Sequence, residues 1–239
     1  MNAQQHDTEQ AKQYFDRWHL YRQIIGNDYM AHQSIHAALR KFVVSRIDKP
    51  FSLLDLGCGD ASAIAGAFAG TGLQTYTGVD LSPAALGQAA KNLESVSYEV
   101  RLVEDDFTAY LAQSGLERYN VILSGFALHH LFPDEKREFF RKCHAALESP
   151  GYLLLYDVFR REGETREDYM RAYCRHCSDR WTGLSDDSLS SAIEHIKECD
   201  YPETYTTIVM MANEAGFTSE PAPLFVDASQ FHCLYGFRA

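Results

Sequence analysis

The rhythm of apolar and polar positions changes three times along the 239-residue chain. In residues 8–46, Tyr14, Trp18, Tyr21 and Ile25 recur at helical spacing, which predicts two helices broken near Gly26 and Asn27. From residue 51 onward, short apolar runs alternate with amphipathic stretches. The runs 51–56, 74–79, 98–103, 119–124 and 151–157 predict strands; the stretches 60–69, 83–94, 107–113 and 134–147 predict helices. Strands separated by helices must pair in parallel through right-handed crossovers. Residues 164–200 are charged and helical with no strand signal, as an insertion would be. A last helix near 203–215 ends at Gly216, a favourable left-handed cap, and "FTSEPAPLFVDA" and "QFHCLYGFRA" predict a closing hairpin. The expected fold is α/β: a doubly wound, mostly parallel, seven-stranded sheet. The expected units are an N-terminal helical cap (1–50), a binding core (51–160), a helical insertion after strand five (161–205), and the last helix with the closing hairpin (206–239).

Composition narrows the partners. With 46% hydrophobic and 23% charged residues, the chain can bury a sizeable core. Apolar runs such as "YLLLYDVF" at 152–159 are too short to span a bilayer, and the polar start "MNAQQHDTEQ" is not a secretory signal. Six cysteines, at 58, 143, 174, 177, 199 and 233, do not form a disulfide framework in a chain this long, so a cytoplasmic setting is expected. A net charge of -11 argues against nucleic acid, which needs clustered Lys and Arg. The most basic stretch, "KREFFRK" at 136–142, predicts the solvated face of a helix. A small-molecule substrate is therefore expected.

The chemistry concentrates after the first strand. "LLDLGCGDA", residues 53–61, ends a hydrophobic run in Asp55 and turns on Gly57 and Gly59. In an open α/β sheet, ligands bind beyond the carboxyl ends of the strands, where this turn belongs. A dinucleotide fingerprint would place a third glycine where Ser62 stands, and no Walker phosphate loop follows. The second strand ends in Asp80, a carboxylate suited to ribose hydroxyls; the third ends in Asp105, Asp106 and Phe107, suited to an adenine amino group and ring face. The fourth ends in Ser124 and Gly125. Four strand ends thus suit adenosine, and none offers a clear cation for phosphate.

The set "LLDLGCGDA", "YTGVDLSP", "VEDDF", "YNVILSGFALHHL" and "SPGYLLLYDVF" resembles the class I S-adenosylmethionine-dependent methyltransferases. Within them it is most similar to the branch of ubiquinone- and menaquinone-type enzymes. The resemblance covers residues 51–158 and implies a Rossmann-like methyltransferase fold with S-adenosylmethionine as cofactor and S-adenosylhomocysteine as product. It implies that Asp55 and the backbone of Gly57, Cys58 and Gly59 hold the methionine part. Asp80 would take the ribose hydroxyls, with Leu81 packing on adenine. Asp106 would accept from the adenine amino group, Phe107 would contribute backbone, and Ser124 would lie beside the methionine tail. Asp105 stands where the family usually has a small residue, and Asp106 is the favoured partner of adenine.

The implied reaction is in-line methyl transfer to a small acceptor, for which no metal is expected. A base helps only where the acceptor must lose a proton; the candidates are His129, His130 and Asp157. Tyr14, Trp18, Tyr21, Arg22, Tyr29, Met30 and His32 are available for a lid, and Tyr29 is the favoured cofactor contact by its family position. Cys174-x-x-Cys177 and His195-x-x-x-Cys199 have the ligand types of a structural zinc site. The preferred reading makes them small buried residues of the insertion. The alternatives are an enzyme that modifies S-adenosylmethionine without methyl transfer, or a silent cofactor-binding partner subunit. A nicotinamide oxidoreductase is opposed by Ser62.

Overall fold

In the computed structural model, which describes residues 20–47, 50–220 and 222–239, residues 20–26 are helical and lead by a turn into α1 (His32–Arg46). Then follow β1 (Phe51–Leu56), α2 (Ser62–Ala67), β2 (Leu73–Asp80), α3 (Pro83–Asn92), β3 (Glu99–Glu104), a short α4 (Phe107–Tyr110) and β4 (Tyr119–Gly125). A 3-10 turn (Leu128–His130), α5 (Pro133–Ala146) and the long β5 (Leu147–Val158) complete the alternating part. Next come α6 (Arg166–Arg180), α7 (Asp186–Cys199), α8 (Tyr205–Glu214), and the segments β6 (Thr218–Ser219), β7 (Phe225–Val226) and β8 (His232–Arg238). Tyr14 and Trp18 lie outside the described residues.

The sheet order is β3-β2-β1-β4-β5-β8-β6, with β7 also on β8. Strands β1 to β5 pair in parallel and β8 runs antiparallel to β5. Because β1 sits between β2 and β4, the chain reverses its winding there, and a crevice opens beyond the strand ends. Leu56 of β1 pairs with both Val79 and Ser124, so the turn after β1 is level with the ends of β2 and β4.

Two apolar layers hold this frame. On one face, Ile35 and Leu39 of α1 and Ile64 of α2 pack with Leu53, Val121 and Leu154 of the sheet. On the other, Phe139 and Phe140 of α5 and Met211 of α8 pack with Leu54, Ile122 and Leu155. Each such side chain stabilises the fold by about 1.5–3 kcal/mol relative to exposure. Among the described residues, no helix is long and apolar enough to cross a membrane.

Three details differ from the sequence reading. The final hairpin's first strand is split: β6 and β7 are two-residue pieces on the same edge of β8, opposite β5. The prolines of "EPAP" between them have no N–H for the ladder. The helix expected over 107–113 is only Phe107–Tyr110. Finally, Lys136 of "KREFFRK" is buried rather than solvated, its ammonium donating to the Tyr201 carbonyl and, at 3.1 Å, to Glu203. A lysine can bury its stem wherever its head finds acceptors.

Candidate active site

Backbone geometry makes the first half of the site. Gly57 and Gly59 both adopt left-handed conformations, with φ of 76° and 54°. A Cβ on Gly57 would stand 3.0 Å from that of Ala127, so the turn can lie this close to β4 only with glycine there. Gly57 and Cys58 donate to the Val79 carbonyl at 2.9 and 3.0 Å, which ties the turn to the end of β2. The Asp80 carboxylate fixes it from the side, accepting from Gly59 N and Ser82 N, each at 2.8 Å. Burial pushes the Asp80 carboxyl up, against those backbone hydrogen bonds. A carboxylate has about four acceptor positions, so two of Asp80's remain for a ligand's hydroxyls.

Leu81, beside it, is 58% exposed, an apolar side chain held at the cavity wall. Asp106 caps α4 by accepting from Thr108 N at 2.8 Å and Ala109 N at 3.0 Å through one oxygen. Burial alone would raise its carboxyl, but the hydrogen bonds from Thr108 and Ala109 hold it below the usual range. Asp105 accepts from Gln113 Nε2 at 3.1 Å. Asp105, Asp106 and Phe107 all line the cavity.

That cavity has a volume of about 610 Å³ and is continuous from this rim to a second wall of different chemistry. There the 3-10 turn after β4 presents His129 and His130, while α7 and its end bring His195 and Asp200. His129 is buried, and its Nδ1 and backbone N–H both contact the Asp157 carboxylate at the end of β5, the N–H at 3.0 Å. Its Nε2 stands 3.6 Å from Asp200 Oδ1, as does His130 Nδ1. Burial opposes charge on His129, but Asp157 and Asp200 outweigh it and raise its pKa. Burial and the charge of His129 push His130 down to about 3, and burial pushes Asp200 up to about 6.

Of the residues singled out in the sequence, Gly57, Cys58, Gly59, Asp80, Leu81, Asp106, Phe107, His129 and His130 line this cavity. Asp55, Ser124 and Asp157 are buried behind the lining. Asp55 accepts from Tyr76 Oη at 3.0 Å, and Asp157 reaches the cavity lining through His129 and through Val158 N, which donates to it at 2.8 Å. Tyr29 is outside the lining; its hydroxyl accepts from Gly183 N at 2.5 Å and its ring stacks on Trp181, 5.5 Å between centroids. It ties the N-terminal turn to the insertion.

Cys174, Cys177, His195 and Cys199 do not meet as a metal-capable group among the described residues. Cys177 is fully buried in the apolar layer, with burial pushing its thiol up. Asp200, His36 and Tyr156 are cavity residues that the sequence reading passed over. "ECDYP" carries no motif, and only its place at the end of a helix facing "HHL" gives Asp200 meaning.

Residues 54–153 match the family described as methyltransferase domain. The carboxy-S-adenosyl-L-methionine synthase of Chromohalobacter salexigens is 30% identical over 169 residues, 69% of this chain and 60% of that protein. The 2-ketoarginine methyltransferase of Streptomyces arginensis is 31% identical over 121 residues, 48% of this chain and 34% of that one. The chain thus spans 60% or less of the length of these relatives. Among solved structures, the 1,6-didemethyltoxoflavin-N1-methyltransferase of Burkholderia thailandensis, with S-adenosylhomocysteine bound, superimposes with a TM-score of 0.63 at 18% identity, covering 100% of this chain and 90% of that one. The N-methyltransferase NodS of Bradyrhizobium japonicum, also with S-adenosylhomocysteine, gives 0.59 at 18% identity, covering 86% of each chain. Residues 54–153 thus match a methyltransferase domain, and the chain has the Rossmann-like fold of these solved methyltransferases.

Proposed function

We propose that this protein transfers the methyl group of S-adenosylmethionine to a small-molecule acceptor. The observation that carries this reading is the single continuous cavity. One end is the glycine turn with Asp80 and Asp106; the other is the wall of His129, His130 and Asp200. Its volume of about 610 Å³ falls among small-molecule pockets, about 300–1,000 Å³.

The backbone of Gly57, Cys58 and Gly59 would hold the methionine part, with Asp55 and Ser124 supporting that turn from behind. Asp80 would take the ribose hydroxyls, Leu81 and Phe107 would flank adenine, and the second oxygen of Asp106 would accept from its amino group. A sulfonium methyl is already activated, so the bound cofactor supplies the leaving group for an in-line displacement. The protein's share is orientation, which is worth several kcal/mol in well-placed pairs. His129 and His130 would meet the acceptor's polar atom, and Asp157 is a positioning residue that fixes the ring of His129. The helical segment 20–26 and α7 both line the cavity and would shield the bound cofactor. The six cysteines form no disulfide among the described residues, which fits a reducing, cytoplasmic setting. The finer likeness to ubiquinone- and menaquinone-type enzymes rests on the resemblance of the motif set alone.

One relative, named as a carboxy-S-adenosyl-L-methionine synthase, favours a second reading in which the cofactor itself is modified. A carboxyl donor is anionic, and among the described residues no Arg or Lys lines the cavity. Methyl transfer to a neutral or cationic acceptor suits that lining better. Calorimetry with S-adenosylhomocysteine, then mass spectrometry of products from S-adenosylmethionine and a panel of small acceptors, tests both. Methyl transfer yields S-adenosylhomocysteine in step with methylated acceptor; a product heavier than S-adenosylmethionine establishes the second reading. No heat with either nucleoside, for a folded sample, ends both.

A further inference from the structure

The wall opposite the cofactor rim has the make-up of a metal centre. The ligand-capable atoms of His129, His130 and Asp200 all lie within 4.8 Å of one another. Two of the separations, His129 Nε2 and His130 Nδ1 to Asp200 Oδ1, are 3.6 Å. Nitrogen and oxygen ligands at about 2.0–2.2 Å in a tetrahedral shell stand roughly 3.4 Å apart, so the spacing needs little adjustment.

Two independent features point the same way. Asp200 is 3% exposed, and its Oδ1 has no hydrogen-bond partner among the described residues. Burying such an oxygen costs about 1–3 kcal/mol or more, a cost that a cation removes. In addition, His129 already has the outer support of a metal-bound histidine: Asp157 holds Nδ1, and Nε2 is the ring nitrogen that faces Asp200.

The segment bearing Asp200 is also fixed in place. Tyr201 N donates to the His129 carbonyl at 2.7 Å, Arg166 Nε to the Asp200 carbonyl at 2.8 Å, and Arg160 Nε to the Pro202 carbonyl at 2.7 Å. His130 Nδ1 lies 3.2 Å from the Cys199 carbonyl. Ligation through Nε2 keeps that contact as support; ligation through Nδ1 exchanges it for the ion. The ring of His195 stands 5.4 Å from that of His130 at the same wall.

We propose that His129, His130 and Asp200 bind one divalent first-row transition-metal ion at the acceptor end of the cavity, with Asp157 orienting His129. Two imidazoles and one carboxylate suit zinc, cobalt(II) or iron(II) and leave further positions open toward the cavity. An acceptor with a lone-pair oxygen or nitrogen could occupy one of them. This goes beyond the methyl-transfer reading, because metal binding is measured without turnover.

The full-length protein, stripped with chelator and dialysed, is titrated with zinc by calorimetry and with cobalt(II) by visible absorption. One equivalent per chain is expected, with cobalt bands lacking a thiolate charge-transfer band. His130→Gln and Asp200→Asn should each weaken zinc binding at least tenfold, and Asp157→Asn roughly 10–100-fold. A Cys174→Ser/Cys177→Ser variant should bind as the parent does. Circular dichroism identifies any variant that fails to fold, and half-exposed His130 supplies the substitution least exposed to that failure. No zinc binding to the parent overturns the proposal. So does a thiolate band, or stoichiometric binding that survives His130→Gln.

Discussion

Asp80 shows how one side chain can hold the fold and, in the proposed cofactor site, a ligand as well. It closes the glycine turn by accepting from Gly59 N and also starts α3 by accepting from Ser82 N. The side chain of Ser82, in turn, accepts from Ala85 N at 3.2 Å as the helix cap. These hydrogen bonds point both oxygens along the rim before any ligand arrives, so binding pays little for ordering them. Hydrogen bonds to a charged group contribute about 1.5–3 kcal/mol, which corresponds to roughly 10- to 100-fold in affinity. Asp80→Ala should therefore weaken S-adenosylhomocysteine binding by about that factor in calorimetry. An unchanged dissociation constant would remove Asp80 from the cofactor site.

At the scale of elements, α5 does more than cover one face of the sheet. Lys136, in its first turn, reaches across to the Tyr201 carbonyl and Glu203, and Arg160 shares that carboxylate at 3.3 Å. Together they pin the 200–203 segment against the His129 turn, so a core helix sets the position of Asp200. Burial pushes the Lys136 ammonium down, and Glu203 pulls it back up. Lys136→Met keeps the stem and strands the Tyr201 carbonyl. The unfolding free energy should fall by about 1–3 kcal/mol, measured by urea melts; an unmoved midpoint would show that the contact contributes nothing. This is also where the sequence was least legible. Strands β1 to β5 and their helices follow from apolar periodicity, because a central parallel strand must be apolar on both faces. The rim residues follow as well, since Asp80, Asp106 and the glycines stand at strand ends. Lys136, Asp200 and the inward place of Asp157 were hidden because each depends on a partner 28 or more positions away in the chain, and local pattern carries no such information.

For the molecule as a whole, the rim has a cost in stability that is visible as pH dependence. Asp55 is buried at the end of β1, 4% exposed, with Tyr76 donating to it and Asp80 nearby on β2. Burial, offset in part by the Tyr76 hydrogen bond, raises its carboxyl from 3.8 to about 7. The folded protein thus holds a proton that the unfolded chain has released between those values. Its contribution is present in full below pH 4 and is lost as pH rises through about 7. At about 1.4 kcal/mol per pKa unit, the loss is on the order of a few kcal/mol. Asp55→Asn keeps an uncharged group of the same shape at every pH. Urea melts of parent and variant between pH 4 and 8 should therefore diverge, the parent losing stability relative to Asp55→Asn as pH rises. Parallel curves across that range would mean that Asp55 is ionised in the fold, with its charge compensated by something other than Tyr76. The difference between the two proteins is the decisive quantity, because every other titrating group is common to both.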